Sequence, residues 1–316
     1  MKKSIKYGLP ALLAVILIAL AGGSYYMLGY SLTPKDNKGR DIPGSYAYMR
    51  STYPFITPWL DSLQTAGALR DTFIISPEGR QLHAMFAAAA RSTGKTAVIV
   101  HGYTDNAVRM LMIGYLYNKE LDYNILLPDL QHNGLSGGPA IQMGWKDRLD
   151  VLEWMNMADT LFGGNTRMVV HGISMGAATT MMLAGEPQQS FVKCFVEDCG
   201  YTSVWDEFSF QLKEMFGLPE FPLMYTTSRL CDAKYGWNFK EASSLNQVRK
   251  CTLPMLFIHG DADTYVPTRM VYPLYDAKSG AKELWIVPGA AHAMSYRDYP
   301  QEYTERVRNF VEKYIH

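Results

Sequence analysis

From about residue 70 onward the chain alternates short, continuous apolar runs with stretches apolar at helical spacing. The apolar runs Ala97–Val100, Ile125–Leu127, Met168–Val170, Phe191–Val196, Pro254–Ile258 and Leu284–Val287 predict buried strands. Between and after them, Val108–Asn118, Trp145–Leu161, Met175–Ala184, Tyr265–Ser279 and Glu302–Ile315 predict helices. Strands without polar alternation, separated by helices, belong in a mainly parallel sheet covered on both faces. Ahead of them, Thr72–Ser76 and Leu82–Ala87 flank a Pro77-Glu78-Gly79 turn and predict a β-hairpin. Tyr46–Leu69 is aromatic and mixed, and predicts a lead-in helix packed on the domain. The segment Thr33-Pro34-Lys35-Asp36-Asn37-Lys38-Gly39 is polar and turn-rich, so residues 31–70 form a linker and lead-in, and 71–316 the main domain.

The pattern changes at the N-terminus and again within the domain. Lys2, Lys3 and Lys6 precede a charge-free stretch from Tyr7 to Pro34. As one helix, Tyr7–Leu28 would span roughly 33 Å, enough to cross a bilayer. No polar face appears in it at helical spacing, which argues against a buried soluble helix. Residues 1–30 are therefore a membrane anchor or a signal segment. Ala19-Leu20-Ala21 offers a cleavage site; the return of apolar residues at Tyr25-Tyr26-Met27-Leu28 favours a retained anchor. The lysines would stay in the cytoplasm and the domain would lie outside it. Within the domain, residues 201–246 interrupt the rhythm with Trp205, Phe208, Phe210, Phe216, Phe221 and Trp237, plus Pro219 and Pro222. This insertion is too long for a plain connection. It reads as a cap over a site or as a peripheral helical packing element.

Composition adds exclusions. Of 316 residues 48% are hydrophobic, which allows a sizeable core, and Lys+Arg and Asp+Glu are each 30. A net charge of zero without a basic cluster points away from nucleic acid. The four cysteines, Cys194, Cys199, Cys231 and Cys251, contain no C-x-x-C pair, against a zinc ribbon or a redox motif. Export would permit a disulfide, but Cys194 alternates with Val192 and Val196 and reads as a buried thiol.

The chemistry lies at strand ends. Gly172-Ile173-Ser174-Met175-Gly176 follows the run Met168–Val170 and opens the helix Met175–Ala184. A serine on a sharp strand-to-helix turn is an exposed nucleophile, but its hydroxyl needs a base and an orienting acid. His292 follows the last strand and a Pro288-Gly289 turn, which suits a general base. Asp261 and Asp263 both follow the strand ending at Ile258; spacing does not separate the acid from a turn-ordering partner. Two backbone N–H groups should hold the oxyanion: that of Met175, after the nucleophile, and that of Tyr103, after the strand Ala97–Val100. The Tyr103 phenol reads as a pocket wall. His101, His171 and His259 each precede a glycine at a strand end. A metal site is disfavoured because no helical His pair such as H-E-x-x-H accompanies them; they read as rings satisfying local backbone groups.

Over residues 70–316 the chain resembles α/β-hydrolases of the serine aminopeptidase/monoacylglycerol lipase-like branch. The resemblance rests on Val-His-Gly-Tyr (100–103), Pro-Asp-Leu-Gln-His-Asn-Gly-Leu-Ser-Gly-Gly (128–138), Gly-Ile-Ser-Met-Gly, Asp263-Thr264-Tyr265-Val266-Pro267 and Gly289-Ala290-Ala291-His292. It implies the order nucleophile, acid, base and assigns the acid to Asp263, the aspartate just upstream of Val266-Pro267. The loop Gln131-His132-Asn133-Gly134 departs from the branch's Arg/Gln-Gly-His-Gly pattern and is expected to shape the site entrance. With its N-terminal segment the chain is similar to membrane-tethered bacterial hydrolases. The expected reaction is hydrolysis of a small carboxylic ester through an acyl-enzyme, with peptide or amide cleavage second and a non-catalytic binding protein as the rival class. Dehalogenase and epoxide hydrolase relatives carry an aspartate where this chain has Ser174. Serine hydrolysis calls for no metal or organic cofactor.

Overall fold

The computed structural model describes residues 2–35, 39–76 and 78–316, with side chains from Pro10 onward. Asp36, Asn37 and Lys38 of the expected polar turn, and Pro77 of the hairpin turn, lie outside the described residues, as do the lysine side chains at positions 2, 3 and 6. The chain opens with α1 (Lys2–Leu32), α2 (Ile42–Thr52) and α3 (Thr57–Thr65). The hairpin β1 (Arg70–Ile75) and β2 (Gln81–Ala87) leads into β3 (Lys95–Val100), α4 (Leu111–Tyr115), β4 (Asn124–Pro128), α5 (Asp147–Leu161) and β5 (Arg167–Ile173). Then come α6 (Met175–Ala184), β6 (Val192–Asp198), α7 (Val204–Phe216), α8 (Leu223–Tyr235) and α9 (Ser244–Val248). β7 (Met255–Gly260), α10 (Val271–Ala277), β8 (Lys282–Val287), α11 (Ser295–Asp298) and α12 (Pro300–Glu312) close the chain.

The eight strands form one sheet in the order β1-β2-β4-β3-β5-β6-β7-β8. β1, β2 and β4 pair antiparallel, and every pairing from β4 to β8 is parallel. The continuous apolar strands arise because both faces are buried. Val98, Val100, Met168 and Val170 point into one core with α5, α6 and α10. Ala97, Ile99, Val169 and Ile173 point into the other, with α2, α3 and α12. α6 is buried on every side, as its lack of a polar face requires. All four cysteines are buried and free.

Three expectations needed adjustment. The helix expected over Val108–Asn118 is broken into a 3₁₀ turn at Ala107–Met110, α4, and a π turn at Leu116–Glu120. The helix expected from Tyr265 starts only with a 3₁₀ turn at Thr268: Val266 precedes Pro267, whose ring disfavours the helical conformation at the residue before it, and the N–H groups of Tyr265 and Val266 donate to Asp263 Oδ1, at 2.9 and 3.0 Å. At the N-terminus the helix runs two residues past the expected boundary at 30, and its second half is docked. Leu28 and Leu32 are buried in the main core, and the N–H of Ile141 donates to the Leu32 carbonyl at 2.9 Å.

Candidate active site

The turn between β5 and α6 puts Ser174 where its sequence context suggested. Its backbone sits at φ 57°, ψ −119°, a strained conformation for a non-glycine residue. Ser174 N–H donates to the Asp198 carbonyl of β6 at 2.8 Å, which ties the turn to the sheet. The flanking glycines are needed for close packing. A Cβ on Gly172 would overlap the Gly176 carbonyl, and one on Gly176 would overlap the Val100 carbonyl of β3. These approaches draw β3, β5 and α6 together and hold the hydroxyl above the carboxyl ends of the strands.

Ser174 Oγ lies 2.8 Å from His292 Nε2, and His292 Nδ1 lies 2.7 Å from Asp263 Oδ2. With Nδ1–H donating to the carboxylate, Nε2 is free to accept the serine proton. Asp263 is buried, and its carboxyl is held down at about 2: burial pushes it up, but hydrogen bonds and charge from His259 and His292 outweigh that. Asp261 is exposed and its Oδ1 accepts the Gly289 N–H at 2.6 Å, ordering the turn that precedes His292. The two aspartates thus touch different partners, a separation that spacing had left open.

Tyr103 and Met175 line the same cavity as Ser174, and a Cβ on Gly102 would sit 3.4 Å from Ser174 Cβ, so the β3 loop abuts the hydroxyl. The Tyr103 phenol donates to the Ser31 carbonyl of α1 at 2.8 Å and so forms part of the wall.

The three strand-end histidines differ more than the shared Val/Ile-His-Gly pattern suggested. His101 does satisfy backbone, with Nδ1–H to the Gly102 carbonyl at 2.7 Å and Nε2 accepting the Leu130 N–H at 2.9 Å. His171 instead contacts side-chain hydroxyls, Tyr117 at 3.2 Å and Tyr303 at 2.9 Å; burial pulls its imidazole down to about 3. His259 Nε2 donates to the Val266 carbonyl at 2.9 Å and lies 3.4 Å from Asp263 Oδ2, so it supports the acid from below. The loop 131–138 does not border the cavity among the described residues. It packs on β2, where the Gly137 N–H donates to the Gln81 carbonyl at 2.8 Å and Ser136 Oγ accepts the His83 N–H at 2.9 Å.

The cavity over Ser174 has a volume of about 900 Å³. Part of its wall comes from α7 and α8 through Phe208, Leu212, Phe216 and Met224. Glu207 also faces it; its carboxyl is pushed up to about 8, mainly by burial, and its Oε2 has no hydrogen-bond partner. A further part of the wall is the second half of α1, including Tyr26, Met27 and Tyr30. Sequence reasoning missed this wall. The only available signal was the aromatic cluster Tyr25-Tyr26-Met27 beyond the most aliphatic stretch.

Comparison with known proteins converges on the same fold. The family model of the prolyl oligopeptidase family matches residues 141–316. The uncharacterized protein YqkD of Bacillus subtilis is 29% identical over 224 residues, 71% of this chain and 73% of that protein. The structure of the Pyrococcus furiosus esterase Pf2001 superposes with a TM-score of 0.65 at 23% identity, covering 80% of this chain and 94% of that one. Est1E from Butyrivibrio proteoclasticus, solved with ferulic acid bound, gives a TM-score of 0.60 at 20% identity, covering 77% and 99%.

Proposed function

The chain belongs to the prolyl oligopeptidase family and is a serine hydrolase of the α/β-hydrolase fold; from that premise we propose that Ser174, His292 and Asp263 hydrolyse a carboxylic ester through an acyl-enzyme. The observation that carries this is the Ser174 Oγ–His292 Nε2 contact of 2.8 Å beside an apolar cavity. In the first step Ser174 Oγ attacks the carbonyl carbon while its proton passes to His292 Nε2. Asp263 holds the ring tautomer and balances the imidazolium charge. The N–H groups of Tyr103 and Met175 stabilise the oxyanion. As the tetrahedral intermediate collapses, His292 gives its proton to the departing alcohol. Water then attacks the acyl-enzyme, with His292 again as base, and releases the acid and Ser174. Residues 201–246 serve as a cap, since α7 and α8 supply cavity wall.

The aromatic and aliphatic lining supports an ester with an apolar acyl group, as does the resemblance to the serine aminopeptidase/monoacylglycerol lipase-like branch. The family match favours a second reading, peptide amide cleavage by the same groups. We place α1 in a bacterial cell membrane with the domain outside the cytoplasm, on the strength of the apolar span Pro10–Leu32. Signal cleavage after Ala21 is the alternative. A fluorophosphonate should label wild type at Ser174 and leave Ser174→Ala unlabelled, with kcat lowered by about 10³-fold or more on whichever ester or aminoacyl amide a panel finds hydrolysed. An unlabelled wild type would favour a binding protein instead.

A further inference from the structure

α1 plays two physical parts at once. From Gly23 onward it is docked on the domain. Ser24 Oγ donates to Thr226 Oγ1 at 2.7 Å, Leu28 and Leu32 are buried, and the Tyr30 ring meets Phe216 edge-on at 5.5 Å. Gly23 itself allows the approach, because a Cβ there would stand 3.3 Å from Leu223 Cδ1 of α8. From Pro10 to Gly22 the helix stands free, with Leu12, Leu13, Val15, Leu17 and Ile18 exposed.

The length of the free part sets the depth of the domain. Its charge-free residues, 7–22, span roughly 24 Å as a helix, short of the roughly 30 Å of a bilayer's hydrocarbon core. Embedding that part therefore brings the docked turn Gly23–Tyr26, and the α7–α8 corner beside it, to the membrane boundary. The corner is suited to that position. Leu218 and Phe221 are 42% and 73% exposed, and Tyr25 and Tyr26, also exposed, supply the aromatic pair found at such boundaries. The cavity's lining reaches Gly22 at this end and Ser174 at the other. Gly22 to Tyr30 is roughly 12 Å along the helix axis. The path is lined by Met27, Leu212, Met215, Phe216 and Leu223. With its carboxyl pushed up to about 8, Glu207 is mostly uncharged at neutral pH and does not oppose an apolar occupant.

We propose that the cavity opens at the membrane surface and takes the acyl chain of a lipid ester drawn from the leaflet, with α1 acting as both anchor and cavity wall. This rests on the serine hydrolase reading above and adds the route and the substrate class. The chain slides between α1 and the cap, its carbonyl reaching Ser174 without the tail crossing water.

The test uses the full-length protein in phosphatidylcholine vesicles. Two fluorogenic esters are compared: 4-methylumbelliferyl palmitate dissolved in the vesicles and 4-methylumbelliferyl acetate in the water. Leu218→Asp/Phe221→Asp changes side chains outside the cavity lining. Palmitate hydrolysis should fall about tenfold or more as the charged corner is expelled from the interface, while acetate hydrolysis stays near wild type. Unchanged palmitate hydrolysis overturns the proposal. Should both rates fall together, Phe221→Trp is decisive: it should keep the palmitate rate and show added fluorescence that brominated phosphatidylcholine quenches, and unquenched fluorescence overturns the proposal. Wild type that cleaves acetate but not palmitate overturns the lipid route alone. Wild type that cleaves neither and takes no fluorophosphonate removes the hydrolase reading beneath it.

Discussion

At the residue scale, three acidic groups show how environment divides similar side chains. Asp261 and Asp263 are two residues apart, yet one is exposed on a turn and the other is buried against two imidazoles. Asp263→Asn is expected to lower kcat by about 10⁴-fold through loss of the correct His292 tautomer, and Asp261→Asn to leave it near wild type. A larger loss in the Asp261 variant, measured on the same ester, would overturn the assignment. Asp263 also ties stability to acid pH. Its folded carboxyl sits at about 2, below its unfolded value, so its contribution is present above about pH 4 and is lost as pH falls toward 2. Glu207 has the opposite sign. Its folded value is raised to about 8, so its protonated form favours the fold at low pH and that advantage is lost as pH climbs through 8. Urea unfolding of wild type at pH 6 and pH 9 should show a loss of stability at the higher pH. Glu207→Gln should show a smaller one, and an equal loss in the two proteins would refute the argument.

At the scale of elements, the β5–α6 turn concentrates the packing constraints. Gly176 lets the first turn of α6 lie against the Val100 carbonyl at the end of β3, beside the loop carrying Tyr103. Gly176→Ala should therefore cost about 3 kcal/mol or more by overpacking, since the neighbour it meets is backbone and cannot rotate away. A shift in the urea midpoint measures it, and a near-neutral result would mean that β3 and α6 can separate. The late start of α10 has the same local logic. Pro267 keeps Val266 out of the helical region, and Asp263 accepts the N–H groups of Tyr265 and Val266, so the side chain's own hydrogen bonds help define the loop holding it.

For the whole molecule, α1 supplies cavity wall, and the membrane attachment we propose would run through the same helix. Cleavage after Ala21 would leave Gly22–Leu32 behind, so the cavity wall survives either processing outcome. Protease added to intact cells should digest the domain if it is exported, and complete protection with digestion only after lysis would place it in the cytoplasm. The docked half also makes the linker shorter than residues 31–70 suggested. After Leu32, Arg40 clamps the returning chain by donating to the Tyr103 carbonyl at 2.8 Å and to Thr104 Oγ1 at 2.6 Å.

The strand positions were readable from the amino-acid order to within three residues, because burial on both faces demands continuous apolar runs that few other structures require. The Gly-Ile-Ser-Met-Gly turn was readable for the same kind of reason, as its geometry is set by neighbours in the chain. What is absent from any local pattern is the meeting of Ser174, Asp263 and His292, which are 118 and 29 residues apart across their two hydrogen bonds and converge only through the parallel order of β5, β7 and β8. The choice between Asp261 and Asp263 came from a resemblance, and the contacts that separate them exist only in the folded loop. The docking of α1 left little trace beyond Tyr25-Tyr26: its charge-free stretch has no polar stripe to lose, so its free and docked halves look alike until the fold brings a partner to one of them.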